Sequence, residues 1–343
     1  MSEGYSRVAR SVRGSWTENV HFGLAAVSTP DGRLIARLGD PSRSVFLRSA
    51  AKPVQILPLL EAGGREAFDL SPAEIALMCS SHAGSDDHVT VVRELLNRTA
   101  LSEQALACGV HPPLGRAAAD ALRDRREEPG TPHNNCSANH VGQLLACRAL
   151  DWPLDGYQDL EHPLQQRVLR QIAEFAGLDV SDIQIGIDGC GLPSFRVPLA
   201  AASRLYALLA DPSGTSAAGS NGDIGIALDA MAAHPEMVAG PGRFTTELIR
   251  ATGGRIIGKE GAEGFYGAVV RGPVALGVAV KISDGADSCR DAVVVEVLRQ
   301  AGCLSQLEFE VLAPFQRVEL RNHSGTRIGE LTADLELIEV GSG

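Results

Sequence analysis

The chain has 343 residues, 44% hydrophobic and 21% charged, enough to bury a sizeable core and too apolar for a disordered chain. A formal charge of −11, with its densest basic group at Arg123 to Arg126 followed at once by Glu127 and Glu128, argues against a nucleic-acid partner. Apolar runs such as Ile183 to Ile187 and Val274 to Val280 stop far short of the roughly 18 to 20 residues of a membrane span, and no apolar stretch follows Met1 as in a secretory signal. Seven cysteines, an odd number without dense spacing, fit a reducing compartment, so the expected location is cytoplasmic, with no membrane partner.

Taken in order, Val20 to Ser28 and Leu34 to Leu38 read as a hairpin around Pro30-Asp31-Gly32. A helix-like apolar segment from Ser49 to Leu60 ends at Ala62-Gly63-Gly64. Ser71-Pro72-Ala73-Glu74 is a helix start: a serine cap, proline at the first helical position and glutamate three residues after the cap. Further helical patterns cover about 87–98, 114–126, 138–150, 162–176 and 198–210. The small, polar stretch 211–223 reads as a mobile loop or a subdomain joint within one catalytic domain spanning 1–343. Beyond it a helix is expected at 224–233, strands at 255–258, 264–271, 274–283, 317–321 and 327–337, and a helix at 288–301. Strands near both ends with helices between them predict an α+β fold, an antiparallel sheet covered by helices.

Four segments carry possible chemistry. In Arg48-Ser49-Ala50-Ala51-Lys52-Pro53, a Ser-x-x-Lys on one turn lets the amine reach the hydroxyl, and Pro53 puts Ser49 near a helix start where backbone N–H groups favour an anion. The spacing is common, and alone it equally describes a capping serine and a solvated lysine. Met78-Cys79-Ser80-Ser81-His82-Ala83-Gly84 is a turn rich in donors and acceptors, though an ordinary helix end has the same composition. Cys136 and His140 lie one helical turn apart and would suit a metal if Cys190, in Asp188-Gly189-Cys190-Gly191, folds onto them. Either cysteine also reads as a small core residue. Gly258-Lys259-Glu260-Gly261 places a lysine among glycines at a strand end, as a site wall or a surface turn would.

In this order and spacing, these segments, together with Asn135-Cys136-Ser137 and His234-Pro235-Glu236-Met237-Val238-Ala239-Gly240, resemble the asparaginase II family, the third structural class of L-asparaginases. The resemblance runs from about residue 15 to about 320. It implies a fold similar to serine β-lactamases and penicillin-binding proteins, a homodimer, and hydrolysis of the asparagine side-chain amide to aspartate and ammonia through a serine ester. The family's two Ser–Lys tandems would fall on Ser49 with Lys52 and on Ser81 with Lys259, with Ser49 read as the nucleophile. Arg48, His82, Asn139, His140 and Asp188 would meet the substrate, Asp188 at its α-ammonium. The family's Cys-Ser-Gly-Lys-His block reads Cys136-Ser137-Ala138-Asn139-His140 here. A neutral amide thus replaces the lysine of the family's zinc site, and the resemblance implies at most a loosely held structural zinc on Cys136 and Cys190, with no cofactor required. Two other readings stay open: another serine amidohydrolase of the penicillin-recognising type, and a catalytically silent amino-acid-binding homologue.

Overall fold

The computed structural model describes residues 4–213 and 221–341. Twelve strands are β1 (Ser6–Arg13), β2 (Trp16–Ser28), β3 (Leu34–Leu38), β4 (Ser44–Phe46), β5 (Gln184–Ile187), β6 (Pro193–Pro198), β7 (Ile256–Gly261), β8 (Phe265–Val270), β9 (Leu276–Ile282), β10 (Arg317–Arg321), β11 (Arg327–Ala333) and β12 (Ile338–Glu339). Nine form one antiparallel sheet in the order β10-β11-β1-β2-β9-β8-β7, with β3 on β2 and β12 on β3. The length of β2 explains this branch: it pairs with β1 through Trp16–Gly23 and with β3 through Ala25–Ser28. A small second sheet, β4-β6-β5, stands apart.

Alternation along the strands gives the sheet two apolar faces. Leu24, Ala26, Phe265, Val269 and Ala279 pack under the Leu199–Ala210 helix and the large helical layer, while Ala25, Val27, Tyr266, Val278 and Val280 pack under the Asp287–Gln300 helix. The expected α+β layout, an antiparallel sheet covered by helices, is therefore present.

Several local expectations need correction. The segment 49–60 is not one helix but a 3₁₀ turn (Arg48–Ala51) and two short helices (Lys52–Gln55, Leu57–Glu61). Pro58 has no N–H to continue the ladder, so the chain must break there. Lys259 lies inside β7 rather than at a strand end. Several elements were missed, among them β1, β4, β6, the Phe244–Ala251 helix and the Gln306–Gln316 helix. In β1 only Val8, Ala9 and Val12 are apolar, among arginines and serines, so no alternation shows, whereas the Gln306–Gln316 helix announces itself through a Ser305–Glu308 capping box. The proposed joint at 211–223 falls largely on residues 214–220, outside the described residues, and its end belongs to the Asn221–Ala233 helix. The Ser71 cap forms as expected, accepting from the Glu74 N–H and starting the Pro72–Met78 helix, a contribution of about 1 kcal/mol.

Candidate active site

The Pro72–Met78 helix ends at Cys79 and delivers Ser80 and Ser81 to the edge of the main sheet, where β7 is the last strand. The Ser81 N–H donates to the Val238 carbonyl at 3.1 Å, so the turn leans on the His234–Gly240 segment. Gly240 is needed for this approach. Its φ is +129°, and a Cβ there would come within 2.7 Å of the Ala83 Cβ. Beneath the turn, the Gly84 N–H donates to His82 Nδ1, and His82 Nε2 lies 3.0 Å from Ser137 Oγ, which itself donates to the Pro132 carbonyl. That pattern fixes a neutral ring with its proton on Nε2. Burial holds the His82 pKa well below the ordinary histidine range.

Lys259 comes up from β7 and places Nζ 2.8 Å from Ser81 Oγ and 2.7 Å from the Glu260 carbonyl oxygen. Gly261 lets this strand meet the Arg48–Ala51 turn, since a Cβ there would sit 2.6 Å from the Leu47 carbonyl oxygen. The amine is 1% exposed, and burial, helped by the nearby charge of Lys52, lowers its pKa to about 7. Neutral, it offers its lone pair to the Ser81 hydroxyl while one N–H stays on the Glu260 carbonyl.

Lys52 joins the same corner. Its Nζ donates to the Ser80 carbonyl and lies 3.4 Å from Ser81 Oγ, 3.5 Å from the Asn135 carbonyl oxygen and 3.2 Å from Cys136 Sγ. Among the described residues it makes no hydrogen bond to Ser49. The pairing expected from sequence is not made because an amine 2% exposed must be satisfied inside, and its acceptors lie on the Ser81 side. Ser49 remains on the open side of its turn, which the Tyr206 hydroxyl anchors by donating to the Ala50 carbonyl at 2.6 Å.

The remaining expected residues separate into two groups. Arg48, at a φ of 51°, donates through Nη2 and Nε to Asp188 Oδ1 at 2.7 and 3.0 Å, and the same oxygen accepts from the Gly189 N–H. Cys136 and Cys190 share a hydrogen bond. That bond and the cation of Lys52 pull the Cys136 pKa down to about 5, while the partner thiol Cys190 is pushed up. His140 Nδ1 is bound to the Tyr157 hydroxyl, and burial lowers its pKa to about 3. Asn139 donates to the Met78 carbonyl at 3.1 Å, leaving its Oδ1 buried without a partner among the described residues, like His140 Nε2 and Ser80 Oγ.

Among the described residues no three His, Cys, Asp or Glu side chains are placed to hold a metal, and the cation of Lys52 stands 3.2 Å from the Cys136 sulfur. All seven cysteines are buried free thiols.

A cavity of about 230 Å³ opens onto both serines and is lined further by Asn135, Arg243, Glu260 and Asp287, with Arg290 behind them. A larger hollow of about 690 Å³ between Asp86, Arg93, Arg125 and Glu128 has more room but no hydroxyl–amine pair, so chemistry selects the smaller one. None of Arg48, His82, Asn139, His140 and Asp188 lines the cavity. Sequence reasoning missed Arg243, Asp287 and Arg290. A signal existed for Arg243, since Gly240-Pro241-Gly242 just before it marks a turn with close backbone approach. An isolated arginine on a helix, such as Arg290, carries none.

Comparison with solved structures finds the native form of Mglu, at 14% identity and a TM-score of 0.42, covering 82% of this chain, and a Bacillus glutaminase, at 12% identity and a TM-score of 0.47, covering 82% of this chain and 91% of that one. The match takes in 65% of the Mglu chain. Comparison with curated proteins gives no match. The family described as L-asparaginase II, amidohydrolases of linear amides, matches residues 9–333, nearly the whole length, and takes in every segment that builds the Ser81 corner. The chain belongs to the L-asparaginase II family.

Proposed function

We propose that the chain hydrolyses the side-chain amide of a small amino acid, L-asparagine first, through an ester on a serine activated by lysine. The observation that carries this reading is the 2.8 Å contact between Ser81 Oγ and an amine whose pKa lies at about 7, at the wall of a cavity large enough for a small amide. Near neutral pH, Lys259 takes the hydroxyl proton as Ser81 Oγ attacks the amide carbon. The tetrahedral intermediate collapses, the C–N bond breaks, and the Lys259 ammonium returns that proton to the departing ammonia. Water then attacks the ester, losing one proton to Lys259, which passes it to the departing Ser81 oxygen, and the acid released gives up its remaining proton to the ammonia or to solvent as it becomes a carboxylate. Lys52 supports the sequence from behind: its charge lowers the Lys259 pKa, and its Nζ, 3.4 Å from Oγ, can stabilise the attacking oxygen. This assigns the nucleophile to Ser81 rather than to Ser49, which has no amine partner among the described residues. Ser49 faces the same cavity, where its hydroxyl serves as a donor to the substrate. No step requires a cofactor. We propose further that the protein works as a homodimer, as the resemblance of the sequence implies, in the cytoplasm, as its seven scattered cysteines suggest.

The test is ammonia release from asparagine, glutamine and simple amides by the wild type and by Ser81→Ala. Turnover of asparagine that survives in Ser81→Ala at the wild-type rate would remove Ser81 from the role. An absence of ammonia from every amide would remove the hydrolase reading itself.

A further inference from the structure

We infer that Arg243 and Asp287 form the head-group reader of this cavity, Arg243 taking the substrate's free carboxylate and Asp287 its ammonium, so that the site selects α-amino acids over other small amides. The inference rests on the amidohydrolase reading and names the substrate class for the same site.

Two arginines stand at the cavity wall, and their states differ. Arg290 has a side chain 7% exposed and is saturated: Nη1 donates to Asp287 at 2.6 Å, Nη2 to Asp291 at 2.8 Å and to Glu260 at 3.3 Å, and Nε to Asp291 at 3.0 Å. Its charge is spent on three carboxylates. Arg243 has a side chain 30% exposed and, among the described residues, one hydrogen bond, from Nη2 to Glu260 Oε1. A guanidinium carries five N–H donors in a planar fork, so most of this one is left for a ligand. Its backbone is fixed as the cap residue of the Phe244–Ala251 helix, directly after Gly242, whose φ is +71°. The base of the side chain is therefore held while the fork faces the cavity.

Glu260 decides which way the fork points. This carboxylate is 7% exposed as a residue, yet its pKa is lowered, because Arg243, Lys259 and Arg290 together overcome its burial. Arg243 is the foremost of these charges, yet its bond to Glu260 uses Nη2 alone, so the rest of its fork is not confined to structural work. Asp287 supplies the opposite sign: its side chain is 61% exposed, with only Oδ1 engaged, by Arg290 and by the Gly264 N–H at 3.2 Å. A cation fork and a half-free carboxylate at one cavity wall are complementary to an ammonium and a carboxylate on one carbon. The volume, about 230 Å³, is below that of pockets for drug-sized ligands and admits a small amino acid. Asp188, which the resemblance placed at the substrate's α-ammonium, is paired with Arg48, and both lie outside the lining.

Three amides dissect the assignment: asparagine, succinamate, which lacks the ammonium, and 3-aminopropionamide, which lacks the carboxylate. Arg243→Gln should lower kcat/KM on asparagine and succinamate on the order of 100-fold more than on 3-aminopropionamide, as loss of a charge-assisted bidentate contact does. Asp287→Asn should show the mirror pattern, sparing succinamate relative to the other two. Arg243→Lys keeps a charge beside Glu260, so it preserves the fold while losing the fork, and should retain the same direction of discrimination with a smaller size. An equal loss on all three amides in Arg243→Gln overturns the inference. Calorimetric titration of aspartate separates this from the reading it rests on. Aspartate should bind Ser81→Ala about 100-fold more tightly than Ser81→Ala/Arg243→Gln. Equal binding, or none to Ser81→Ala, overturns the head-group reader. A preserved difference in a protein that releases no ammonia would uphold it while removing the hydrolase.

Discussion

The two serines that share the cavity differ in what stands behind them. Behind Ser81 are two buried lysines, at 2.8 and 3.4 Å, satisfied by the carbonyls of Glu260, Ser80 and Asn135. Behind Ser49 is a 3₁₀ turn, and among the described residues no amine bonds to it, although a lysine follows three residues later in the chain. Proximity in sequence placed Lys52 near Ser49, but the need of a buried ammonium for acceptors turned it toward the neighbouring serine. A nucleophile is thus defined by the acceptors around its base and not by motif spacing alone.

The largest effect should break or establish that asymmetry. Ser81→Ala is expected to lower turnover on the order of 10⁴-fold, since a nucleophile and its base act as a unit. Ser49→Ala should cost roughly 10-fold, the size of one lost hydrogen bond to the reacting substrate. Rapid quench with asparagine followed by peptide mass mapping should find the acyl group on Ser81. An acyl group on Ser49 would reverse the comparison and make Lys52 move during the cycle.

The lysines sharpen it further. Because Lys259 must be neutral to accept a proton and its pKa is about 7, kcat/KM should climb with pH through that value and level off above it. Lys52→Met removes the charge that helps to hold this pKa down, so the rising limb should move to higher pH and turnover near neutrality should fall on the order of 100-fold. Stability should follow the same group. The folded amine has a pKa of about 7 against its ordinary 10.5, so the unfolded chain binds more protons between those values, and stability rises with pH across that window. Melting temperatures measured against pH should show a flatter slope in Lys259→Met than in the wild type. Parallel curves would mean that Lys259 is not the depressed amine.

How far this was legible in the sequence depends on the interaction that fixes each part. The Ser71 cap, the helices from 137 to 210 and the strands β7 to β9 follow local rules of capping and periodicity, and the sequence displayed them. The residues Ser81 and Lys259 were legible only together with the other matched segments, because 178 positions separate them. Asp287 was not legible at all, and for Arg243 the one local sign was the Gly240-Pro241-Gly242 turn just before it. Their relation to the serines is created by the starts of the Phe244–Ala251 and Asp287–Gln300 helices and by β7 lining one cavity, and no local pattern encodes that meeting. Asn139 is the intermediate case, since its departure from the family block was visible while its hydrogen bond to the Met78 carbonyl was not.

The smallest expected effect concerns metal. A tetrahedral zinc needs four donors, commonly thiolate, imidazole or carboxylate. Here Cys136 and Cys190 are hydrogen-bonded to each other and stand beside the cation of Lys52, which a second cation would have to displace or deprotonate. Asn139 offers a neutral oxygen, a poor ligand for a borderline-soft ion. His140 presents an unpartnered Nε2, yet its ring is tied to Tyr157 and it completes no group of three with the cysteines. Purified protein should therefore carry zinc well below one equivalent, and prolonged chelation should leave kcat unchanged within about 2-fold, since Ser81 and Lys259 need no Lewis acid. Elemental analysis beside the ammonia assay checks this. One tightly held equivalent whose removal abolishes turnover would mean that the corner rearranges around a metal, with Lys52 driven from Cys136 toward Ser49, and the two serines would then exchange the roles assigned to them.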